Sequence, residues 1–251
     1  MKVNIMITFQ PSAAGFPVDR FLEALIGGGT ALLINALLTV NPERMVEEAA
    51  FPVFAESVAV LEEVAAALET GDARRVQRAY VKAREIDARV SGLKEAVAAG
   101  RETARLAPPR RRSLGHMDLY VGAADQIDLT VRDVRALARA ALSVVQPEAE
   151  DPVPERLPAA IRLLARATEA LAAYLQTSGD HPPDETRRLA LEAAREASTL
   201  LKEHDDLASN LGVNALVDQI HSSAVDLIGS TGMDRAEALQ ALQEVTGRAS
   251  W

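Results

Sequence analysis

Four histidines, His116, His181, His204 and His221, are the residues of this chain best suited to proton transfer or metal ligation near neutral pH. Helical di-metal sites draw paired Glu-x-x-His elements from facing helices. The nearest approach here is Asp218-x-x-His221, which occurs once. His204 lies beside Glu203, Asp205 and Asp206, but adjacent helical residues point in different directions. No metal site is expected on these grounds, and the histidines read as surface or polar-core residues. The chain has no cysteine, which excludes disulfides, thiolate ligands and a Cys nucleophile. GxGxxG, GxxxxGK and GxSxG patterns are absent. The dense glycine run, Gly27-Gly28-Gly29, lies in an apolar stretch with no lysine after it. No catalytic, cofactor-binding or metal-binding residue is assigned, and no enzymatic activity is expected.

Charged residues offer two further constellations. Arg101, Arg105 and Arg110-Arg111-Arg112 form the strongest basic cluster. It can meet anionic lipid headgroups or sit as a solvated turn where positive charge suits a helix C-terminus; the second reading is preferred. Asp125, Asp128, Arg132, Arg135 and Arg139 share one predicted helix. Asp128 and Arg132 have i,i+4 spacing, and an exposed pair of that kind is worth a few tenths of a kcal/mol at most. Asp128 and Arg135 can also pair inside a bundle. Structural ion pairing is preferred to ligand binding for this group. The balance of 36 acids against 27 bases leaves a net charge of −9. That argues against nucleic-acid binding, which needs a basic face.

The elements that must position these residues read as helices throughout. Apolar residues make up 48% of the 251, enough for a sizeable core, yet aromatics are only 4%. Much of the apolar content is alanine, which suits closely spaced helices rather than strands. The expected fold is all-α: one membrane-type apolar helix followed by a cytosolic bundle of long antiparallel helices. Residues 1–17 form a leader, 18–41 the membrane-type helix, 42–147 a long-helix region, 148–154 a linker and 155–251 a C-terminal helical region.

From Ala24 to Val40 the chain carries no charge, about the shortest stretch that spans a bilayer. Ala24/Gly28 and Gly27/Ala31 have the small-xxx-small spacing that lets membrane helices approach. A buried helix of a soluble protein is the competing reading. Glu23 and Asn35 are its strongly polar residues and, if it spans, its best functional candidates. Lys2 and Arg20 precede it and Arg44 follows, so basic residues set no orientation.

Beyond it, Asn41-Pro42 opens a helix to about Thr70 whose face holds Val53, Phe54, Val58, Leu61, Val64 and Leu68. Gly71-Asp72 breaks it, and Asp72 caps a helix to about Leu106 that carries Ile86, Val90, Leu93 and Val97. Pro108-Pro109 ends that one. Helices follow over Ser113–Val145, Glu155–Gln176, Asp184–Asn210 and Asn214–Gly229. Gly212 serves as the stop of the third of these. Asp234 and Glu237 then make a capping-box-like start for a last helix to about Thr246.

Several phrases carry a family resemblance. RFLEALIGGGTALLINALL from Arg20 resembles the last membrane segment of bacterial FUSC-family proteins, the fusaric-acid-resistance and aromatic-acid-exporter-like permeases. AGRETARLAPPRRR from Ala99, QIDLTVRDVRALARAAL from Gln126 and QIHSSAVDLIGSTGMDRAEALQAL from Gln219 are similar to the cytosolic region of actinobacterial members. The resemblance runs over nearly the whole chain after about Val18. It implies the C-terminal part of an integral permease for efflux of aromatic or other organic acids, in the plasma membrane, with the helical domain in the cytoplasm in a structural or regulatory role. Partners implied are membrane lipid, an organic-acid substrate and either further copies of the chain or missing upstream membrane segments. Val3–Phe9 would be the remnant of a preceding span. A lone helix cannot enclose a transport path, so no substrate-binding residue is carried over. Phe51 and Phe54 are where assembly contacts are first sought. The alternative is a soluble helical scaffold with Phe21–Val40 in its core.

Overall fold

The computed structural model describes residues 42–106, 114–145, 153–176, 184–204, 207 and 210–247. Seven helices fill them: α1 (Pro42–Thr70), α2 (Ala73–Leu106), α3 (Leu114–Val144), α4 (Arg156–Gln176), α5 (Asp184–Glu203), α6 (Leu211–Gly229) and α7 (Arg235–Thr246). The expected all-α class is observed, with no strand among the described residues. Among those residues, no helix is long and apolar enough to cross a membrane. The segment 18–41, with Glu23 and Asn35, lies outside them, as does Val3–Phe9.

Local chemistry explains the joints. Gly71 takes the left-handed conformation, φ 64°, which a side chain would resist. Its amide bonds to Leu68 O at 3.3 Å and that of Asp72 to Ala67 O at 3.0 Å, closing a Schellman end on α1. Asp72 then caps α2 through Arg75 N at 3.0 Å. Asp234 caps α7 through Ala236 N at 2.8 Å, and Gly247, φ 64°, ends it.

The end of α5 differs from expectation. The helix stops at Glu203 rather than running to Asn210. Beyond it Leu207 N is bonded to His204 O at 3.1 Å and Asn210 N to Leu207 O at 3.0 Å. Asn210 then caps α6, accepting from Gly212 N at 3.0 Å and Val213 N at 3.1 Å. Gly212 is therefore no helix stop. It lies in the first turn of α6, where a Cβ would sit 2.6 Å from the Ser143 carbonyl oxygen of α3. The glycine is there for close approach of two backbones, not for left-handed freedom.

Ion pairs report the helix directions. Arg135 meets Asp87 at 2.6 Å and Lys94 meets Asp128 at 2.8 Å, so α2 and α3 run antiparallel. Arg75 grips Glu63 at 2.6 and 2.9 Å, and Arg89 holds Glu56, along the α1–α2 hairpin. The bond from Arg75 holds the Glu63 carboxyl below its ordinary range. Arg162 of α4 reaches back to Glu69 on α1. One apolar cluster collects Leu61, Ile86, Leu137, Leu164, Leu200 and Ile220, so helices on both sides of 148–154 share a core. In α5 the buried face sets Ala190, Ala193, Ala194 and Ala197 between Leu189 and Leu200, a helical stripe whose small side chains let neighbours come close. Phe54 is 3% exposed. It packs in the chain's own core, while the side chain of Phe51 lies outside the described residues.

Candidate functional site

The described unit concentrates its unusual chemistry where α3, α6 and α7 meet. Asp133 projects from α3 into a cavity of about 10 Å³. Leu61 of α1, Leu164 and Thr168 of α4, and Ser223 and Leu227 of α6 complete its walls. Two hydroxyls there are satisfied within their own helices: Thr130 donates to Gln126 O at 3.0 Å and Thr168 to Leu164 O at 2.9 Å. The Gln219 amide reaches Asp133 Oδ1 only at 3.4 Å, a weak bond. Protein surrounds the carboxyl on most sides, although a part of the residue remains accessible. Desolvation and then the neighbouring Asp226 charge push its pKa to about 8, against the opposing pull of Arg235 and the Gln219 bond. At neutral pH the acid is therefore predominantly protonated. Asp226 itself is 10% exposed and pairs with Arg235 Nη1 at 2.9 Å, while the arginine side chain is 70% exposed.

Arg235 also borders a groove of about 400 Å³ between α6 and α7. Its apolar wall is Val225, Leu239 and Leu242; Asp218, His221 and Ser222 supply the polar side. Apolar walls with a few convergent polar groups, at this size, are the usual form of small-molecule sites. His221 is 2% exposed. Its Nε2 lies 2.8 Å from Ser198 Oγ and 3.2 Å from Ala194 O. A carbonyl only accepts, so the contact with Ala194 O is a hydrogen bond in the tautomer that carries the proton on Nε2.

The other residues singled out by sequence fall as follows. Asp218 and His221 do share one face and one groove. His204 is exposed, with Nδ1 3.4 Å from Leu200 O. His181 and Arg110–Arg112 lie outside the described residues, and His116, Arg101 and Arg105 lie where only the helical backbone is described. No group of three or more His, Asp or Glu among the described residues is placed to hold a metal ion. Asp128 pairs with Arg132 at 2.9 Å, as the i,i+4 spacing suggests. It is buried, however, and its second partner is Lys94. Lys94 also holds Asp125 at 2.9 Å, and the two acids together raise its pKa. Arg135 does not pair with Asp128; it turns to Asp87, because the antiparallel α2 offers a nearer carboxylate. Arg139 is exposed. Sequence reasoning missed Asp133, although its place among Val131, Val134 and Leu137 on the apolar face of α3 was a usable signal.

No family model matches the chain, and no solved structure matches it. The chain is similar to an uncharacterized protein of Corynebacterium glutamicum, with 28% identity over 242 residues, which are 95% of this chain. The matched region is 61% of that protein's length, so this chain spans less than two thirds of the relative.

Proposed function

We propose that the chain is the C-terminal part of an FUSC-like permease for aromatic or other organic acids, in which the bundle α1–α7 braces or regulates a membrane part. The observation that carries this reading is the adjacency of two unlike regions. Ala24–Val40 is uncharged and near the length of a bilayer span. Directly after it, residues 43–251 form a compact unit with its own core. The length of the relative, which the chain matches over 61%, adds support for a function shared with further polypeptide. In this reading the bundle encloses no substrate path, and its partners are lipid and either further copies of the chain or other membrane segments.

Fractionation tests it. The intact chain should pellet with membranes, resist carbonate extraction and require detergent. A chain lacking residues 1–41 should not. Transport is tested separately: the full-length gene product should lower cellular accumulation of an aromatic acid. An intact chain that stays monomeric in solution without detergent would overturn the membrane reading and favour the helical-scaffold alternative.

A further inference from the structure

We propose that the α6–α7 groove binds a small monocarboxylate with an apolar body, its carboxylate on the Nε–Nη2 edge of Arg235 and its hydrocarbon part against Val225, Leu239 and Leu242. The inference stands apart from the permease reading, since it concerns the described bundle alone.

Helix directions set the layout of the groove. Arg187 and Lys202 of α5 bond to Thr231 Oγ1 and Thr246 O, while Ser198 of α5 meets His221 of α6. α7 therefore runs with α5 and against α6. Arg235, paired with Asp226 at 2.9 Å, marks the end of the groove beside the α6–α7 turn. Asp218 and Leu242 mark the other end, two helical turns or about 10 Å along either helix.

Arg235 selects the ligand. A guanidinium carries five N–H donors in a rigid fork and accepts nothing. Asp226 takes Nη1, and among the described residues no carboxylate meets Nε or Nη2. Arg156 shows the filled arrangement in the same molecule. Its Nη1 holds Glu196 at 2.6 Å, while its Nε and Nη2 hold Glu203 at 2.9 and 3.0 Å. One guanidinium thus serves two carboxylates there. At Arg235 the place of the second is open, on the wall of a groove whose other lining includes Val225, Leu239 and Leu242. The arginine side chain is 70% exposed, so a ligand reaches it without displacing packed residues. Paired donors of this kind match a carboxylate in geometry as well as charge. A volume of about 400 Å³ suits a small molecule. Asp218 stands at the far end, where like charge disfavours a second carboxylate.

The test is an amide NMR titration of the intact chain with hexanoate and with hexanamide, which has the same body and no charge. Hexanoate should shift the amides of Val225, Arg235, Leu239 and Leu242 saturably, and leave those of Glu56 and Arg89 in the α1–α2 hairpin in place. Hexanamide should bind at least about tenfold more weakly, for want of the charge-assisted fork. Arg235→Gln should bring hexanoate down to the level of hexanamide. Asp226→Asn, which removes the competing carboxylate, should tighten hexanoate and leave hexanamide unchanged. The proposal is overturned if hexanoate gives no saturable shift in α6 and α7, if acid and amide bind alike, or if Arg235→Gln keeps the preference for the acid. Should either variant fail to fold, the other decides with the same pair of probes.

Discussion

Gly212→Ala tests whether the close approach of α6 to α3 is a packing constraint. The new Cβ would sit 2.6 Å from Ser143 O and 3.0 Å from Ser143 C. Both atoms are backbone, so no side-chain rotation relieves the contact. Overpacking of this kind costs about 1–3 kcal/mol. The better helix propensity of alanine returns at most about 1 kcal/mol, and less in a first turn whose amides are already satisfied by Asn210. The net expectation is a loss of roughly 1–2 kcal/mol. Gly229→Ala is the matched control: the same exchange, in the same helix, with nothing within 4 Å of the new Cβ. Its expected effect is neutral to stabilising by up to about 1 kcal/mol. Urea denaturation followed by far-UV circular dichroism measures both, with equal m-values as the condition for comparing them. Equal stability of the two variants would refute the argument from close approach.

Two further perturbations probe the buried charges. Asp133→Asn should stabilise the fold increasingly as pH rises. The native carboxyl titrates near 8 against an ordinary 3.8, so its contribution is fully present below about pH 4 and is lost as pH climbs through 8. About four units at roughly 1.4 kcal/mol each bound the gain at about 6 kcal/mol. Denaturation of wild type and variant at pH 5, 7 and 9 measures the difference, and a gap that does not widen with pH would sink the prediction. Asp128→Ala removes a buried carboxylate from Lys94 and Arg132. It should cost about 1–3 kcal/mol, moderated because Lys94 keeps Asp125; a loss under about 0.5 kcal/mol would show the pair to be energetically idle.

How far these features could be read in advance depends on the range of the interaction. The joints at Gly71-Asp72 and Asp234 were legible because capping is a matter of three or four neighbouring residues. The end of α5 was not. His204–Asn210 holds no glycine or proline, so no breaker residue marks the stop at Glu203. Glycine itself is ambiguous in a sequence, since it answers two needs. At Gly71 and Gly247 it supplies a positive φ; at Gly212 it makes room for Ser143, 69 positions away in the chain. The same distinction separates the ion pairs. Asp128–Arg132 follows from helical spacing, whereas Lys94 and Asp87 enter only because α2 folds back along α3. Asp133 lies between these cases. An acid on an apolar face is visible in the sequence, but its proton affinity arises from Leu61, Leu164, Leu227 and Asp226, contributed by three other helices. A local pattern can thus identify the carboxyl out of place. Only the assembled bundle decides whether it pairs, ionises or keeps its proton, and here a cation one helix further on, Arg235, is already engaged by Asp226.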